Sequence, residues 1–475
     1  MNRRSFVKKM GIAGVATGFM PSVFAMSSQE DVQKKPLNIA FVGTGLMGGA
    51  NMRILLEQMK QNCDYVCDVD TMYGAKAQKF FAPKAKNFID YREMFEKVGN
   101  KLDGVVISTP DNSHFAIAME ALKYKIPVFV EKPLCYSIEQ IRILTKTATK
   151  VGVPTQMGNF VHCNVGIDYV REWINAGAIG TVREIRAWTC RPLRGCNQPP
   201  RGWKQWPTPD PIPSTLDWDK WLNTTEYSNF YKAVVPLNWR RFYKFGSGSL
   251  GDIGCHILDV PISALNLPAP IKVSSRQRGG TSICVPLQDE VVYFFPTSSQ
   301  NVPVRIVWNS GVCRANKDGS YPKDYDKSFL PELPQEYLDA GRDYRHIPDD
   351  GMFIIGDEGV IFSPVMHLTG KPVLLPKSRS AKLMPELDKK TAHLKRVPNI
   401  HMLDFLRTIK GEKKQCMSDF SVSGPLSETI QLGNVALQTN KDILWNSKKM
   451  QCVGVPEADK FIRPLMRNEY ITFDY

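Results

Sequence analysis

Residues Gly43-Thr44-Gly45-Leu46-Met47-Gly48 form a glycine-rich loop that decides the fold. The apolar run before the loop, LNIAFV at 37–42, is typical of a buried strand, and the pattern after it indicates a helix from Gly48 to about Gln61. Glycines at such a turn let the backbone approach a pyrophosphate, whose charge then rests on the helix N-terminus. The stretch predicts a dinucleotide-binding loop, with an ordinary glycine-rich turn as the alternative.

An acidic residue at the end of the next apolar run strengthens this interpretation. The run Tyr65-Val66-Cys67 is followed by Asp68, twenty residues beyond Gly48. A nucleotide bound on the glycine loop needs a hydrogen-bond acceptor for its ribose hydroxyls at this position. The spacing therefore predicts that Asp68 contacts the ribose.

The composition indicates an ordinary globular protein of two domains. The chain has 475 residues, of which 43% are hydrophobic and 23% charged, and it shows no low-complexity block or internal repeat. Its formal charge is +14, or +10 without the four basic residues of the first 25 positions. Because the basic residues are scattered, the charge is weakly suited to anionic partners and predicts no nucleic-acid groove.

The first 25 residues have the pattern of an export signal. Arg3 and Arg4 form a twin-arginine pair, 10–20 is a short apolar stretch, and Val23-Phe24-Ala25 fits a small-x-Ala cleavage site. The apolar stretch is too short to span a bilayer, so no stable membrane insertion is expected. We predict a periplasmic protein that is exported folded, with its nucleotide loaded in the cytoplasm; the alternative is a basic, apolar tail without a targeting role.

The cysteines predict neither a disulfide framework nor a metal site. They number eleven and have no repeated spacing. Cys63 and Cys67 are separated by three residues, but no second pair completes a zinc site. Most are expected to be small core residues.

Residues 36–159 alternate apolar runs with helical patterns, which predicts a Rossmann domain with a parallel sheet. A capping box is expected at the start of the last helix, where Gln140 follows Ser137 by three residues. The predicted strands are 37–42, 64–68, 103–109, 127–130 and 154–157. The predicted helices are 48–61, 71–82, 112–125 and 137–151.

Residues 160–475 predict a second α/β domain with an open, mainly antiparallel sheet. The region 188–243, here called the aromatic excursion, is long and rich in tryptophan, and it suits either a functional cover with sugar-binding rings or a surface loop pinned by aromatics. After it, an irregular tail is expected beyond the last helix. The predicted helices are 164–176, 399–410 and 424–439, and the predicted strands are 271–277, 290–295, 303–309 and 352–363.

Lys132 is the first candidate for chemistry. It follows a predicted buried strand, where the carboxyl ends of parallel strands place ligand-binding residues. An ammonium group there can hydrogen-bond a substrate hydroxyl and favour its alkoxide. The alternative is a solvated loop lysine.

The second candidate is the pair Asp252 and His256 in the stretch 246–259, GSGSLGDIGCHILD. The two residues are four positions apart on one face of a predicted helix. His256 can accept a hydroxyl proton near neutral pH, while Asp252 holds its tautomer or contacts the substrate. The alternative is a helix-capping aspartate followed by a buried histidine.

The ordered set GTGLMG, STPDNSH, VEKPL and GDIGCHILD resembles the Gfo/Idh/MocA family of nicotinamide-dependent sugar and cyclitol oxidoreductases. The likeness covers essentially the whole chain after the signal, including 353–359 and 424–429. In particular it resembles the exported branch, which has a twin-arginine signal and an insertion at 238–241. The lead-in GSGSLGD departs from the family's uninterrupted glycine triplet.

The resemblance implies roles for individual residues. Lys132 is similar to the catalytic lysine, Asp252 to the substrate-orienting carboxylate, and His256 to the general base. Asp68 resembles the acid that selects NAD over NADP. The implied cofactor contacts are Gly43, Gly45, Leu46, Met47, Gly48, Asp68, Thr109, Pro110, Asn112, His114, Glu131, Lys132 and Asn159. The implied substrate contacts are Lys132, Trp239, Arg240, Asp252 and His256.

Three functions follow as hypotheses. The first is hydride transfer between a secondary alcohol of a sugar, glycoside or cyclitol and a tightly bound NAD. The second is an NAD-dependent glycoside-cleaving enzyme that works by transient oxidation and elimination. The third is a non-catalytic sensor of nucleotide or carbohydrate. The resemblance also implies a homo-oligomer, a dimer or tetramer, formed through the open sheet.

Overall fold

The computed structural model describes residues 35–193, 203–236, 238–364 and 370–473. The first domain is a six-stranded parallel sheet in the order β3-β2-β1-β4-β5-β6. Its strands are β1 (Ile39–Val42), β2 (Tyr65–Cys67), β3 (Lys86–Phe88), β4 (Gly104–Ile107), β5 (Val128–Val130) and β6 (Thr155–Met157). Its helices are α1 (Leu46–Met52), α2 (Thr71–Phe80), α3 (Tyr91–Val98), α4 (His114–Lys123) and α5 (Ile138–Val151).

The central strands are buried along their whole length, as parallel strands covered by helices on both faces require. Every residue of β1, β4, β5 and β6 is buried. The five predicted strands of this sheet are confirmed. The sixth, β3, was not predicted, because its sequence Lys-Asn-Phe has no apolar run and pairs only at the sheet edge.

The helices of this domain begin near their predicted starts. Ser137 caps α5 by accepting from the backbone N–H of Gln140 at 3.4 Å, but the Gln140 side chain donates to Met466 instead of completing a capping box. After α1 the chain continues as a π-helix over Arg53–Gln58. Helix α3 was not predicted.

The second domain has a nine-stranded sheet in the order β13-β12-β11-β7-β10-β9-β8-β14-β15. All the paired strands are antiparallel except β7 and β10. The strands are β7 (Val182–Thr189), β8 (Lys272–Arg278), β9 (Gln288–Phe295), β10 (Val304–Ser310), β11 (Asp350–Gly356), β12 (Val360–Ser363), β13 (Val373–Leu375), β14 (Ile443–Asn446) and β15 (Gln451–Val453). The open, mainly antiparallel sheet is confirmed.

The helices of the second domain follow the chain between and after these strands. They are α6 (Val165–Asn175), α7 (Trp218–Leu222), α8 (Cys255–Ile257), α9 (Asp259–Ala264), α10 (Gln335–Asp339), α11 (Lys377–Thr391), α12 (Ile400–Ile409), α13 (Phe420–Thr439) and α14 (Asp459–Ile462). The three helices expected from the sequence correspond to α6, α12 and α13.

Two expectations for this domain are wrong. The run 352–363 is two strands, because the polar residues Asp357 and Glu358 turn the chain between β11 and β12. The tail is not irregular, since β14 and β15 extend the sheet and α14 follows them. The two strands are too short to be predicted from their sequence, because each pairs with a neighbour over only two or three positions.

The two domains share their cores. Helix α12 lies late in the sequence yet covers one face of the first sheet, where the rings of Phe405 and Phe129 are 5.8 Å apart. Helix α13 packs against α5 of the first domain and against β8 of the second. This shared packing fixes the ends of the first sheet against the second domain, which is where the candidate site lies.

The described part of the aromatic excursion forms a small core of its own. Trp218 and Trp221 are stacked at 4.6 Å, and Trp206 is stacked on Tyr231 at 4.8 Å. Trp218 and Trp221 are buried and cannot serve as exposed sugar platforms. The predicted signal, residues 1–25, lies outside the described residues, and no helix among the described residues has the length and apolar character to span a membrane.

Candidate active site

The glycine loop has the geometry that a bound pyrophosphate requires. Gly43 adopts φ +79°, and a side chain on Gly48 would lie 2.0 Å from the carbonyl oxygen of Gly43, so both positions need glycine. A Cβ on Gly45 would meet nothing within 4 Å. The neighbouring side chains of Leu46 and Met47 are 71% and 49% exposed. The loop thus leaves open space at the position where the second glycine of such loops admits the phosphates.

Asp68 connects the end of β2 to this loop. Its Oδ2 accepts hydrogen bonds from the backbone N–H of Thr44 at 2.8 Å and from the Thr44 hydroxyl at 2.9 Å. Its Oδ1 accepts from the backbone N–H of Asp70 at 2.9 Å. Burial raises the pKa of Asp68, and these hydrogen bonds offset the rise in part. The carboxylate therefore holds the loop in shape beside the expected ribose position.

The aromatic excursion reaches the same edge of the sheet. The backbone N–H of Thr71 donates to the Thr215 carbonyl, and that of Asp217 donates to the Val69 carbonyl, each at 2.9 Å. The excursion thus pairs with the chain that follows Asp68. The structure thus shows a segment attached to the end of β2 and pinned by its own aromatic rings.

The loop after β4 carries the predicted cofactor residues Thr109, Pro110, Asn112 and His114. His114 spans two loops, since its Nε2 lies 2.9 Å from the Thr109 carbonyl and its Nδ1 lies 2.8 Å from the Pro133 carbonyl. Asn112 donates to the Leu222 carbonyl of the excursion at 3.2 Å. The Thr109 hydroxyl and the Asn112 side-chain oxygen are buried and have no hydrogen-bond partner among the described residues.

Glu131, at the end of β5, contacts α1. Its Oε1 accepts from Asn51 at 2.9 Å, and Asn51 also donates to the Ser108 hydroxyl at 3.1 Å. This triad joins the glycine-loop helix to the ends of β4 and β5. The sequence analysis did not single out Asn51.

Lys132 and Asp252 meet across the domain boundary. The Lys132 ammonium donates to Asp252 Oδ1 at 2.5 Å and to the Asp252 carbonyl at 2.7 Å. Arg191, which follows β7, donates to Asp252 Oδ2 at 2.7 Å, and Arg240 Nε lies 3.5 Å from Oδ1. One carboxylate thus gathers three cations, of which the sequence analysis missed Arg191.

The charges around Asp252 keep it ionised. Burial by itself would raise the pKa of Asp252, but Lys132, Arg240 and Arg191 outweigh burial and hold that pKa well below its usual range. The residue lies in a π-helix, Leu250–Gly254, which runs directly into α8. Asp252 and His256 are therefore on one continuous helical segment, as predicted, although its first turn is wider than an α-helix.

Arg240 and Trp239 lie beside this carboxylate. Arg240 stacks on the Trp239 ring at 4.2 Å and donates to Asp111 at 3.0 Å. Asp111 also accepts from the backbone N–H of Ser247 at 3.0 Å. The glycine-rich lead-in packs on this pair, because a Cβ on Gly246 would lie 2.6 Å from the Cα of Arg240. Asp111 is a further residue that the sequence analysis did not name.

His256 is buried and oriented by Asn159. Its Nδ1 lies 2.7 Å from the Asn159 side-chain oxygen. The amide nitrogen of Asn159 donates to the Cys255 carbonyl and to Asp259 Oδ2, both at 2.9 Å. Since both of those partners can only accept, the orientation of the Asn159 amide is set by the network. The side-chain oxygen of Asn159 can only accept a hydrogen bond, so Nδ1 of His256 must carry the proton. In a neutral His256 the lone pair is then on Nε2.

Asp259 is anchored in turn by His162. Nδ1 of His162 lies 2.9 Å from Asp259 Oδ2. Burial would lower the pKa of His162, but the Asp259 carboxylate raises it above the ordinary value. The ring of Phe160 lies against that of His256, with ring centroids 4.8 Å apart. Asn159, predicted as a cofactor contact, is thus a hydrogen-bond partner of His256 in this structure.

The predicted residues therefore form two connected groups. Gly43, Gly45, Leu46, Met47, Gly48 and Asp68 line the glycine loop, whereas Lys132, Asp252, Arg240 and Trp239 meet at the domain boundary with His256 one turn beyond Asp252. Among the described residues, no group of three or more histidine, cysteine, aspartate or glutamate side chains has the arrangement of a metal site.

Fold and site together define a two-domain protein whose first domain has the architecture and glycine loop of a dinucleotide-binding domain. The Gfo/Idh/MocA model described as "Oxidoreductase family, NAD-binding Rossmann fold" matches residues 37–159, and the family's C-terminal alpha/beta domain model matches residues 202–277. Both domains of the chain are therefore similar to this family, and the cofactor indicated by the match over residues 37–159 is NAD.

Three curated relatives resemble parts of the chain. A 2,7-anhydro-N-acetylneuraminate hydratase of Mediterraneibacter gnavus is 26% identical over 45% of this chain and 50% of its own length. A glycosyl hydrolase family 109 protein of Shewanella pealeana is 24% identical over 32% of this chain and 37% of its own length. An inositol 2-dehydrogenase of Rubrobacter xylanophilus is 29% identical over 32% and 43%. The chain thus matches half or less of the length of these relatives.

Solved structures match over nearly their whole length. A WlbA dehydrogenase from Bordetella pertussis, in complex with NADH and UDP-GlcNAcA, is 12% identical with a TM-score of 0.57, covering 87% of this chain and 99% of that one. A myo-inositol dehydrogenase from Lactobacillus casei, in complex with NAD(H) and myo-inositol, is 13% identical with a TM-score of 0.52, covering 90% and 100%. At these identities the match concerns the fold.

The glycine loop offers a matched pair of substitutions. Gly45→Ala should leave the free energy of unfolding near that of the wild type and weaken NAD binding by about 10-fold or more, because the new methyl group enters the pyrophosphate space. Gly48→Ala should destabilise the fold itself by about 1–3 kcal/mol, because its Cβ meets the Gly43 carbonyl. Urea unfolding and nucleotide titration measure the two effects.

The control for this pair is Gly370→Ala, since a Cβ at Gly370 also meets nothing within 4 Å and lies outside the loop. Gly370→Ala should change neither the free energy of unfolding nor the affinity for NAD. Wild-type NAD affinity in Gly45→Ala would contradict the assigned phosphate position.

The tautomer of His256 is open to direct measurement. In ¹⁵N-histidine NMR spectra at pH 8, we expect the His256 signals of the Nδ1–H form, assigned by their loss in His256→Gln. Asn159→Ala removes the acceptor and should move these signals toward the Nε2–H form. Asn316→Ala, in an exposed turn, is the control and should leave them unchanged. An Nε2–H signal in the wild type would refute the orientation.

Proposed function

We propose that the protein transfers hydride between a secondary alcohol of a sugar, glycoside or cyclitol ring and the nicotinamide of NAD. The observation that carries this proposal is the contact of Lys132 with Asp252 at 2.5 Å. It brings a cation at the carboxyl end of the NAD-binding sheet onto the helical segment that carries His256. Ligands of such sheets bind at this edge.

The residues divide the proton chemistry between them. NAD, when bound, supplies the hydride acceptor. Lys132 donates a hydrogen bond to the reacting hydroxyl and stabilises its developing negative charge. His256 accepts the hydroxyl proton on Nε2, because Asn159 retains the other ring proton on Nδ1. Asp252 holds the ammonium of Lys132 in place and orients the substrate.

The remaining assignments belong to the same proposal. The contacts of Asp68 with the glycine loop and of 215–217 with the end of β2 favour a tightly held NAD. A captive cofactor suits a periplasmic enzyme that is exported folded through the twin-arginine signal at 1–25, because free NAD is scarce outside the cytoplasm. We also propose that the protein forms a dimer or tetramer through its open sheet.

Loss of either proton-handling residue should slow turnover. Lys132→Ala and His256→Ala are each expected to lower kcat by about 10² to 10⁴, the usual contribution of general acid–base catalysis. The NAD content should stay unchanged, since neither side chain holds the pyrophosphate. Absorbance of reduced nicotinamide at 340 nm with a panel of glycosides and cyclitols measures turnover.

The matched controls are Lys146→Ala and His393→Ala, both at exposed positions. They should retain wild-type turnover. Full activity in Lys132→Ala or His256→Ala would refute the assigned roles.

A second candidate is redox-neutral cleavage of a glycoside. It is favoured by the relatives named as a glycosyl hydrolase family 109 protein and as a hydratase. Bound NAD would supply a transient oxidation that acidifies a ring C–H. Loss of that proton would expel the aglycone as an alcohol and leave a C=C double bond, and addition of water followed by return of the hydride would give the free sugar. The same residues serve both reactions.

An aryl glycoside supplied without added cofactor separates these functions. Aglycone release without accumulation of NADH identifies cleavage, whereas NADH accumulation with an intact glycoside identifies net oxidation. A sensor would show ligand-induced thermal stabilisation with neither change, and this outcome would refute both enzymatic proposals.

A further inference from the structure

The aromatic excursion is attached to two loops at the carboxyl edge of the first sheet. After β2, the backbone of 215–217 is joined to that of 69–71 by two hydrogen bonds of 2.9 Å. After β4, the Asn112 side chain donates to the Leu222 carbonyl at 3.2 Å and to the Thr225 hydroxyl at 2.9 Å. The sheet order is β2-β1-β4, so the two attachments flank the glycine loop that follows β1.

The crevice between these attachments is the place where such sheets bind a dinucleotide. The strand order reverses between β1 and β4, and open α/β sheets hold their ligands at the carboxyl ends of the strands beside such a reversal. A nucleotide on the glycine loop would therefore lie between the two attachments of the excursion. Its release is expected to require that at least one of them opens.

A segment far along the chain fastens the excursion at the end of α7. We call residues 467–473 the strap. The Arg467 guanidinium donates to the Asn223 carbonyl at 2.7 and 2.9 Å and to the Asp219 carbonyl at 2.9 Å, and it pairs with the Asp219 carboxylate at 2.5 Å. The Arg467 backbone N–H donates to the Thr224 carbonyl at 2.9 Å. The strap thus supplies donors to carbonyls beyond the last helical turn, where the helix has none to offer.

Tyr470 connects this fastening to the first domain. Its hydroxyl donates to Asp219 Oδ2 at 2.6 Å, and the residue is only 2% exposed. The Arg92 guanidinium of α3 lies 4.4 Å from the Tyr470 ring centroid and donates to the Glu469 carbonyl at 2.8 Å. The excursion, the strap and α3 therefore meet at one buried tyrosine.

The strap is also fixed to α4, a second helix of the first domain. Lys123 donates to the Thr472 carbonyl at 3.0 Å, and the Thr472 hydroxyl donates to Glu120. The rings of Phe115 and Phe473 meet edge to face at 5.6 Å. Because the strap rests on two helices of the NAD-binding domain, it holds the end of α7 against that domain.

We propose that the strap retains the cofactor: it keeps the excursion closed across the glycine loop and so slows the release of bound NAD. Local opening becomes rarer as more hydrogen bonds and buried contacts must break together. Arg467 and Tyr470 are positioning residues, since they act through the excursion. The inference rests on the tightly held NAD of the proposed function, but the release rate is measured without turnover, so the two can fail separately.

The test measures NAD release from the full-length protein. The protein is loaded with NAD labelled with ¹⁴C in the adenine, mixed with excess unlabelled NAD, and sampled over time by rapid gel filtration. Arg467→Met should release the label about 10-fold or more faster than the wild type, because several hydrogen bonds to a charged group are lost. Tyr470→Phe loses one hydrogen bond and should release it about 3-fold faster or more. Arg467→Lys should show a smaller acceleration than Arg467→Met.

The matched control is Arg463→Met. Arg463 precedes Arg467 by four positions and pairs with Glu139 and Asp459, which lie outside the excursion. It should release NAD at the wild-type rate. Hydrogen exchange of the loaded proteins supplies a local measurement: the amides of 69–71 and 215–217 should exchange faster in Arg467→Met, whereas those of β9 should not change. Thermal melting verifies that the variants are folded.

Several results would overturn the proposal. They are wild-type release in both Arg467→Met and Tyr470→Phe, an equal acceleration in Arg463→Met, faster release without faster exchange at 69–71 and 215–217, and a wild type that loses its label before the first sample. If Arg467→Met does not fold, Tyr470→Phe and Arg467→Lys decide. Turnover of glycosides is followed separately at 340 nm. Strap-dependent release without any turnover supports this inference and refutes the proposed reaction, whereas turnover with strap-independent release refutes this inference alone.

Discussion

The ion pair between Lys132 and Asp252 is the interaction on which the site depends. It joins the end of a strand in the NAD-binding sheet to a helical segment of the second domain. Neither residue reaches the other unless the domains are packed as α12 and α13 pack them. Because both side chains are mostly buried, separating them would strand a charge in a low-dielectric environment. The position of Lys132 relative to the helical segment that carries His256 is thus fixed by packing that is remote from the site.

Around this pair, polar side chains tie adjacent loops to one another. His114 connects the loops after β4 and β5, Asn51 connects α1 to both, and Asn159 connects the end of β6 to His256. Each link crosses between elements that meet only at the carboxyl edge of the parallel sheet. Residues implied by resemblance to be cofactor contacts, such as Asn112 and Asn159, hold this scaffold together, and a scaffold so connected can keep reactive groups in fixed geometry.

The sequence predicted the features that depend on local patterns. Local periodicity and residues close together in the chain were enough to predict the glycine loop, five strands of the parallel sheet and the Asp252–His256 spacing. Arg191 could not be predicted, because it belongs to no motif and lies 61 residues away from Asp252 in the sequence. Asp111 lay inside a quoted motif and was still missed. Its role exists only when the excursion brings Arg240 onto it.

The aromatic excursion places Arg240 at the site from a small core of its own. Long tryptophan-rich loops can present rings to sugars, but here Trp218 and Trp221 are buried in the core that the excursion forms for itself. Trp239 is partly buried, and its ring carries the Arg240 guanidinium. The excursion therefore contributes to the site mainly by delivering a cation that is already stacked and paired.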